Sequence, residues 1–190
     1  MIKKIFKVDN TWAFILAFLI AWMIFKIYTG EEYLKAFNYI IPGLRITFAS
    51  TLISFLIALI LGLLLGIGRI SKNKVSSTLS RTYIEFVRGV PILILIFTIA
   101  FVVVVDAAKF LNINNGNVPM IVRAIIALSI FYGAYIAEVF RAGIESVSIG
   151  QREGGASLGL NDRQIMRHIV LPQAFRNMLP ALGNDFISMM

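Results

Sequence analysis

Cysteine is absent from this 190-residue chain, and histidine occurs once. The first absence excludes disulfides and thiolate metal sites. The second leaves His168 unable to form a metal site or a catalytic triad alone, so it reads as a surface residue. Charge is scarce as well. Charged residues make up 15% of the chain against 58% hydrophobic, and mean hydropathy is +0.83. A soluble domain of this length has more polar surface, so the class is integral membrane. Strict apolar–polar alternation is missing, which disfavours a β-barrel and leaves an all-α, polytopic helical bundle. No phosphate-cradling G-x-x-x-x-G-K-[ST] occurs, so the chain hydrolyses no ATP by itself. An integral membrane enzyme would need clustered histidines, carboxylates or a nucleophile with its base, and none is visible. The chain also shows neither an internal repeat nor a low-complexity tract.

What is present is four apolar runs. They give spans at about residues 12–28, 46–68, 90–110 and 118–140, within a single transmembrane domain of residues 1–190. Lys3, Lys4 and Lys7 precede the first run as in a signal peptide, but no small-x-small cleavage site follows, so the helix is retained. A net charge of +8 would point to nucleic acid in a soluble protein. Here it reports topology. With the N-terminus in the cytoplasm, thirteen of the eighteen Lys and Arg fall inside, and Lys26, Lys35, Arg45, Lys109 and Arg123 fall outside. The positive-inside rule favours that orientation.

Between the second and third runs, Ser71 to Arg88 is basic and amphipathic. Val75, Leu79, Tyr83 and Phe86 or Val87 would form the apolar face of a helix lying at the interface or entering the membrane. The outer loop 106–119 is rich in asparagine (Asn112, Asn114, Asn115, Asn117) around Gly116, which is turn chemistry. In the second span Ser50, Ser54, Ala58, Gly62 and Gly66 recur every fourth residue. That stripe of small side chains lets another helix approach closely.

The polar stretch Gln151 to Pro172, QREGGASLGLNDRQIMRHIVLP, stands out in so apolar a chain. Gly159 can end a short helix in the left-handed region, and Asn161 with Gln164 can form a capping box that starts the next. Ile165, Met166, Ile169 and Val170 supply the apolar face of that second helix, which should end or kink at Pro172.

This segment resembles the EAA loop of binding-protein-dependent ABC transporter permeases. Glu153 stands for the acid, Gly159 for the central glycine and Ile169-Val170-Leu171-Pro172 for the ending. Gly154-Gly155 replaces the usual two alanines, which weakens a helix by about 1 kcal/mol per residue and implies a less rigid segment or one more dependent on its docking groove. Tyr83-Ile84-Glu85-Phe86-Val87-Arg88-Gly89-Val90-Pro91, Tyr132 through Ile144 and Leu171-Pro172-Gln173-Ala174-Phe175-Arg176 are similar to the polar amino-acid (histidine, glutamine, glutamate or arginine-like) permeases. Many relatives carry a glutamine where this chain has Leu95, which argues against a polar substrate contact there. Such permeases usually continue beyond the position of Met190 into a further span, so the resemblance implies a chain truncated before its last helix.

The resemblance implies a permease subunit of an importer of polar amino acids in the bacterial cytoplasmic (inner) membrane. Its partners would be an ABC ATPase dimer, a second permease subunit (like or unlike) and an extracytoplasmic solute-binding protein. ATP and Mg²⁺ would sit on the ATPase, with no cofactor on this chain and no nucleic acid. Gln151, Arg152, Glu153, Gly154, Gly155, Ala156, Ser157, Leu158 and Gly159 would form the cytoplasmic helix that couples to the ATPase. The alternatives are a permease for another small solute or a non-transporting membrane scaffold.

Four residues are candidates for the substrate path. Tyr135 and Glu138 share a helix face with Tyr132 and Arg141, and Glu138 could bind an ammonium group or pair with Arg141. Glu85 and Arg88 flank the Gly89-Val90-Pro91 break. They could line a path or form a salt bridge at the corner where the chain enters the membrane.

Overall fold

The computed structural model describes residues 11–190, so Lys3, Lys4 and Lys7 lie outside the described residues. The described residues are mostly helical, with no strand among them, as the composition predicts. Contacts divide the chain into two units, 1–47 and 48–190. The first contains α1 (Thr11–Thr29) and the start of α2 (Glu31–Arg69). Trp12, Phe14, Phe18, Trp22 and Phe25 of α1 are all exposed, as suits a helix apolar on every side and surrounded by lipid. The second helix begins at Glu31 rather than Ile46 and passes Pro42 without ending.

The second unit is built around α6 (Met120–Glu145). Beside it lie the end of α2, α3 (Lys74–Gly89), α4 (Ile92–Thr98) and α9 (Leu171–Met189). A π-helical turn, Ile99–Val103, joins α4 to α5 (Val104–Phe110). Among the described residues four helices have the length and hydropathy to cross a membrane: Trp12–Thr29, Glu31–Arg69, Ile92–Phe110 and Met120–Glu145. The small-residue stripe does what its spacing predicts. Ser54, Ala58, Gly62 and Gly66 are buried, and a methyl group on Gly62 would lie 2.5 Å from Ile136 Cγ2 and 3.0 Å from the Ala137 backbone nitrogen. On Gly66 it would lie 3.1 Å from Phe140 Cβ. These contacts advance together along both helices, so α2 and α6 run parallel.

Polar groups tie the helices together at depth. Ser129 Oγ donates to the carbonyls of Ile125 (2.7 Å) and Ser54 (3.2 Å). Tyr83 Oη donates to Ile130 O at 2.7 Å, and Tyr132 Oη to Ser188 O at 2.8 Å. Where the surroundings are apolar such bonds resist helix separation, because water cannot replace them. The Tyr132–Ser188 bond and the Asn177 Nδ2–Ser146 Oγ bond (2.8 Å) show α9 running antiparallel to α6.

Val75, Leu79 and Phe86 of α3 are exposed, as an apolar face turned to the interface or membrane requires, and Ser80, Ile84 and Val87 pack against protein. At Gly68 α3 comes so close to α2 that a methyl group would meet Ser80 Oγ, so only small side chains fit at that contact. One expectation is narrowed: the helix after Asn161, expected to end or kink at Pro172, does not end there. It widens into a π-helical turn, Met166–Val170, in which Leu171 N–H donates to Met166 O. The wider turn gives the proline ring room in a helix it would otherwise interrupt, and α9 continues to Met189. The asparagine-rich loop is a turn as expected, with Gly116 N–H donating to Asn114 Oδ1 at 3.0 Å and Asn112 at φ 55°.

Candidate functional site

The polar stretch is anchored almost wholly by local bonds. α7 (Ile149–Ser157) ends at Gly159, whose φ of +78° is the left-handed conformation that glycine adopts without strain. Gly159 N–H donates to Ala156 O at 2.9 Å and Leu160 N–H to Gly155 O at 3.2 Å, the paired bonds of a Schellman ending. The capping box then starts α8 (Asp162–Ile165). Gln164 N–H donates to Asn161 Oδ1 at 3.0 Å, and Asn161 N–H to Gln164 Oε1 at 2.9 Å.

The two glycines of α7 differ. Gly155 is buried, and a methyl group there would lie 2.6 Å from Ile169 Cδ1 and 3.1 Å from Ile165 Cγ1. Gly154 is exposed, with nothing within 4 Å of a would-be methyl group. Close packing accounts for the first glycine and nothing in the structure requires the second. Arg152 Nη2 donates to Ile144 O at 3.0 Å and so ties α7 to the end of α6. Gln151 meets Gln173 at 3.3 Å. Glu153, Gly154, Ala156, Ser157, Leu158 and Gly159 are exposed, Leu158 at 82%. Arg152, Glu153 and Asp162 line a groove of about 440 Å³ with Ile165 and Met166. His168 is exposed, as a surface residue should be.

The four substrate-path candidates separate. Glu85 is exposed and stands 3.8 Å from Arg81 on the same helix. Glu138 is enclosed by arginines: Arg69 Nη1 donates to its Oε2 at 2.7 Å, and Arg141 Nε to its Oε1 at 3.0 Å. Arg88 and Tyr135 come together, with the guanidinium 5.4 Å from the ring centroid. Both line a cavity of about 550 Å³ together with Gly89, Pro91, Tyr132 and Asp185. The Gly89-Val90-Pro91 break between α3 and α4 forms one wall, and Phe131, Tyr132 and Tyr135 from the middle of α6 form another. The cavity therefore lies beside the middle of α6, at the break between α3 and α4.

Asp185 is the residue that sequence reasoning missed. Its Oδ2 is buried and has no hydrogen-bond partner among the described residues. A lone carboxylate beside Asn184, between Leu182 and Ile187, was the available signal. Leu95 belongs to the apolar core rather than to the cavity wall. Among the described residues no three His, Asp or Glu side chains gather to hold a metal. The cavity can receive a solute of mixed charge, with a guanidinium and a carboxylate as opposite poles and aromatic rings between them.

Comparison with known proteins agrees with this architecture. Residues 58–190 match the family described as binding-protein-dependent transport system inner membrane component. The probable amino-acid permease protein YxeN of Bacillus subtilis is 39% identical over 162 residues, covering 84% of this chain and 69% of that protein. The probable glutamine ABC transporter permease protein GlnM, also of Bacillus subtilis, is 34% identical over 80% of this chain and 67% of its own length. Among solved structures, an amino acid ABC transporter crystallised with histidines superposes with a TM-score of 0.73 at 34% identity, over 83% of this chain and 70% of that one. The chain belongs to the binding-protein-dependent transport system inner membrane components, the permease subunits of ABC importers.

Proposed function

We propose that this chain moves amino acids through the bacterial cytoplasmic membrane, as one of two permease subunits driven by a separate ATPase dimer and supplied by an extracytoplasmic binding protein. The observation that carries the reading is the cavity at the α3–α4 break, where Arg88 and Asp185 offer opposite charges beside the middle of α6. Interrupted helices at mid-depth are where membrane transporters hold polar solutes, because irregular backbone survives there only against protein or water. A free amino acid carries both charges that these side chains complement, and the amino-acid relatives support that choice. With the N-terminus inside, α7 faces the cytoplasm. Glu153 and Leu158 then dock on the ATPase, which holds the ATP and Mg²⁺, and closure of its dimer reaches α6 through Arg152 and Ile144.

The test is uptake by the complete reconstituted importer. Asp185→Asn removes the carboxylate with almost no change of volume. Losing a charge-assisted hydrogen bond costs about 1.5–3 kcal/mol, so apparent substrate affinity should fall on the order of tenfold to a hundredfold. Unchanged uptake kinetics in this variant would remove the cavity from the substrate path.

A further inference from the structure

Three arginines from three helices converge on one carboxylate. Arg69 ends α2, Arg88 lies near the end of α3, and Arg141 follows Glu138 on α6. Arg69 holds Glu138 Oε2 at 2.7 Å, while Arg141 holds Oε1 through Nε at 3.0 Å and Nη2 at 2.5 Å. Arg141 is bonded also to Glu145. The cluster thus contains three positive and two negative groups, which leaves one positive charge in surplus.

Distance identifies the arginine that carries the surplus. Arg88 Nη1 stands 3.7 Å from Glu138 Oε1, near enough for attraction and too far for a normal hydrogen bond. Its guanidinium lies over Tyr135 and lines the cavity. Because Arg69 and Arg141 already occupy both Glu138 oxygens, the planar fork of Arg88 keeps its donors for another carboxylate. Glu138 still attracts Arg88 from behind and limits where the guanidinium can swing.

We propose that Glu138, itself fixed by Arg69 and Arg141, is a positioning residue that holds Arg88 over Tyr135 as the carboxylate receptor of the cavity. The proposal rests on the reading of that cavity as an amino-acid site. It removes Glu138 from contact with the solute and makes its effect on recognition indirect. Arg69, which does not line the cavity, becomes part of the same support.

The experiment uses the permease–ATPase complex in lipid nanodiscs without the solute-binding protein, whose own selectivity would mask the effect. The probes are L-glutamine, L-glutamate, L-histidine and L-arginine, each beside its α-carboxamide, which lacks only the carboxylate charge. The readout is the ratio of the two dissociation constants for the tightest-binding pair. The wild-type complex should prefer the acid on the order of tenfold, the scale of one charge-assisted contact. Glu138→Gln should bring the ratio close to one, and Glu138→Asp should recover part of it. In an Arg88→Gln background, Glu138→Gln should have no further effect on the ratio.

If Glu138→Gln does not assemble, Arg69→Lys keeps the charge and loses the fork, and should lower the same ratio by a smaller factor. A purely structural role would weaken acid and amide alike and leave the ratio intact, which overturns the proposal. So would independent, multiplying effects of Glu138→Gln and Arg88→Gln. A ratio that falls in Arg88→Gln but not in the Glu138 or Arg69 variants defeats the positioning role alone. Absence of binding to the wild-type complex, or insensitivity to Asp185→Asn, defeats the cavity reading and this proposal with it.

Discussion

The segment from Gln151 to Pro172 and the cavity at the α3–α4 break solve opposite problems. The first is held by bonds between residues a few positions apart: the Schellman pair at Gly159 and the capping box at Asn161. Its polar and apolar side chains, Glu153 and Leu158 among them, project outward. The second is assembled from Arg88, Tyr135 and Asp185, which are far apart in the chain and brought together only by the packing of α3, α6 and α9. Local bonding suits a part gripped from outside, because it keeps its shape when a neighbour pulls. Long-range assembly suits a solute site, because any shift between helices changes the distance between its poles. Arg152 connects the two by bonding the end of α6, the helix that supplies Tyr135.

Charge reversal on the outward surface should give the largest effect. Glu153→Lys places a positive charge beside Arg152 in the groove where a partner would dock. Like-charge juxtaposition at an interface costs several kcal/mol, so recovery of the ATPase with the affinity-purified permease should fall on the order of a hundredfold. Full recovery would show that this face is not the grip.

Packing within the segment comes next. Gly155→Val drives a branched side chain toward Ile165 and Ile169, and overpacking of this kind costs about 1–3 kcal/mol. Faster amide exchange across residues 149–158 and a lower unfolding temperature would register it. The neighbouring glycine should respond in the opposite sense. Gly154→Ala meets open space and should stabilise α7 by up to about 1 kcal/mol through helix propensity. Slower exchange in the same amides checks this, and equal responses from the two glycines would erase the distinction between them.

Legibility follows the same division. Gly159, Asn161 and Gln164 could be assigned roles from the sequence because their partners lie within a few residues. The stripe from Ser54 to Gly66 was readable for a related reason, since helical periodicity alone puts its members on one face. Glu138 was legible as a charged residue in an apolar helix, but its partner Arg69 is distant in the chain and carries no local signature. On α3 the apolar pattern identified what leaves water, and Val75, Leu79 and Phe86 stay exposed to surroundings that lipid can fill, whereas the face of Ser80, Ile84 and Val87 that packs on protein has no separate sequence signal. At Pro172 an end or a kink was expected, and only the end is excluded, because a helix that widens by one residue just before a proline can continue past it. Asp185 was overlooked because a single carboxylate shows no spacing to detect.

The central claim is that gripping and solute binding are separate functions of separate regions. It is tested most directly by measuring amino-acid binding and ATPase recovery on the same preparations of two variants, Asp185→Asn and Glu153→Lys. Asp185→Asn should lose binding on the order of tenfold or more while the ATPase still co-purifies, and Glu153→Lys should lose the ATPase while the permease still binds amino acid. Parallel loss of both properties in both variants would contradict it.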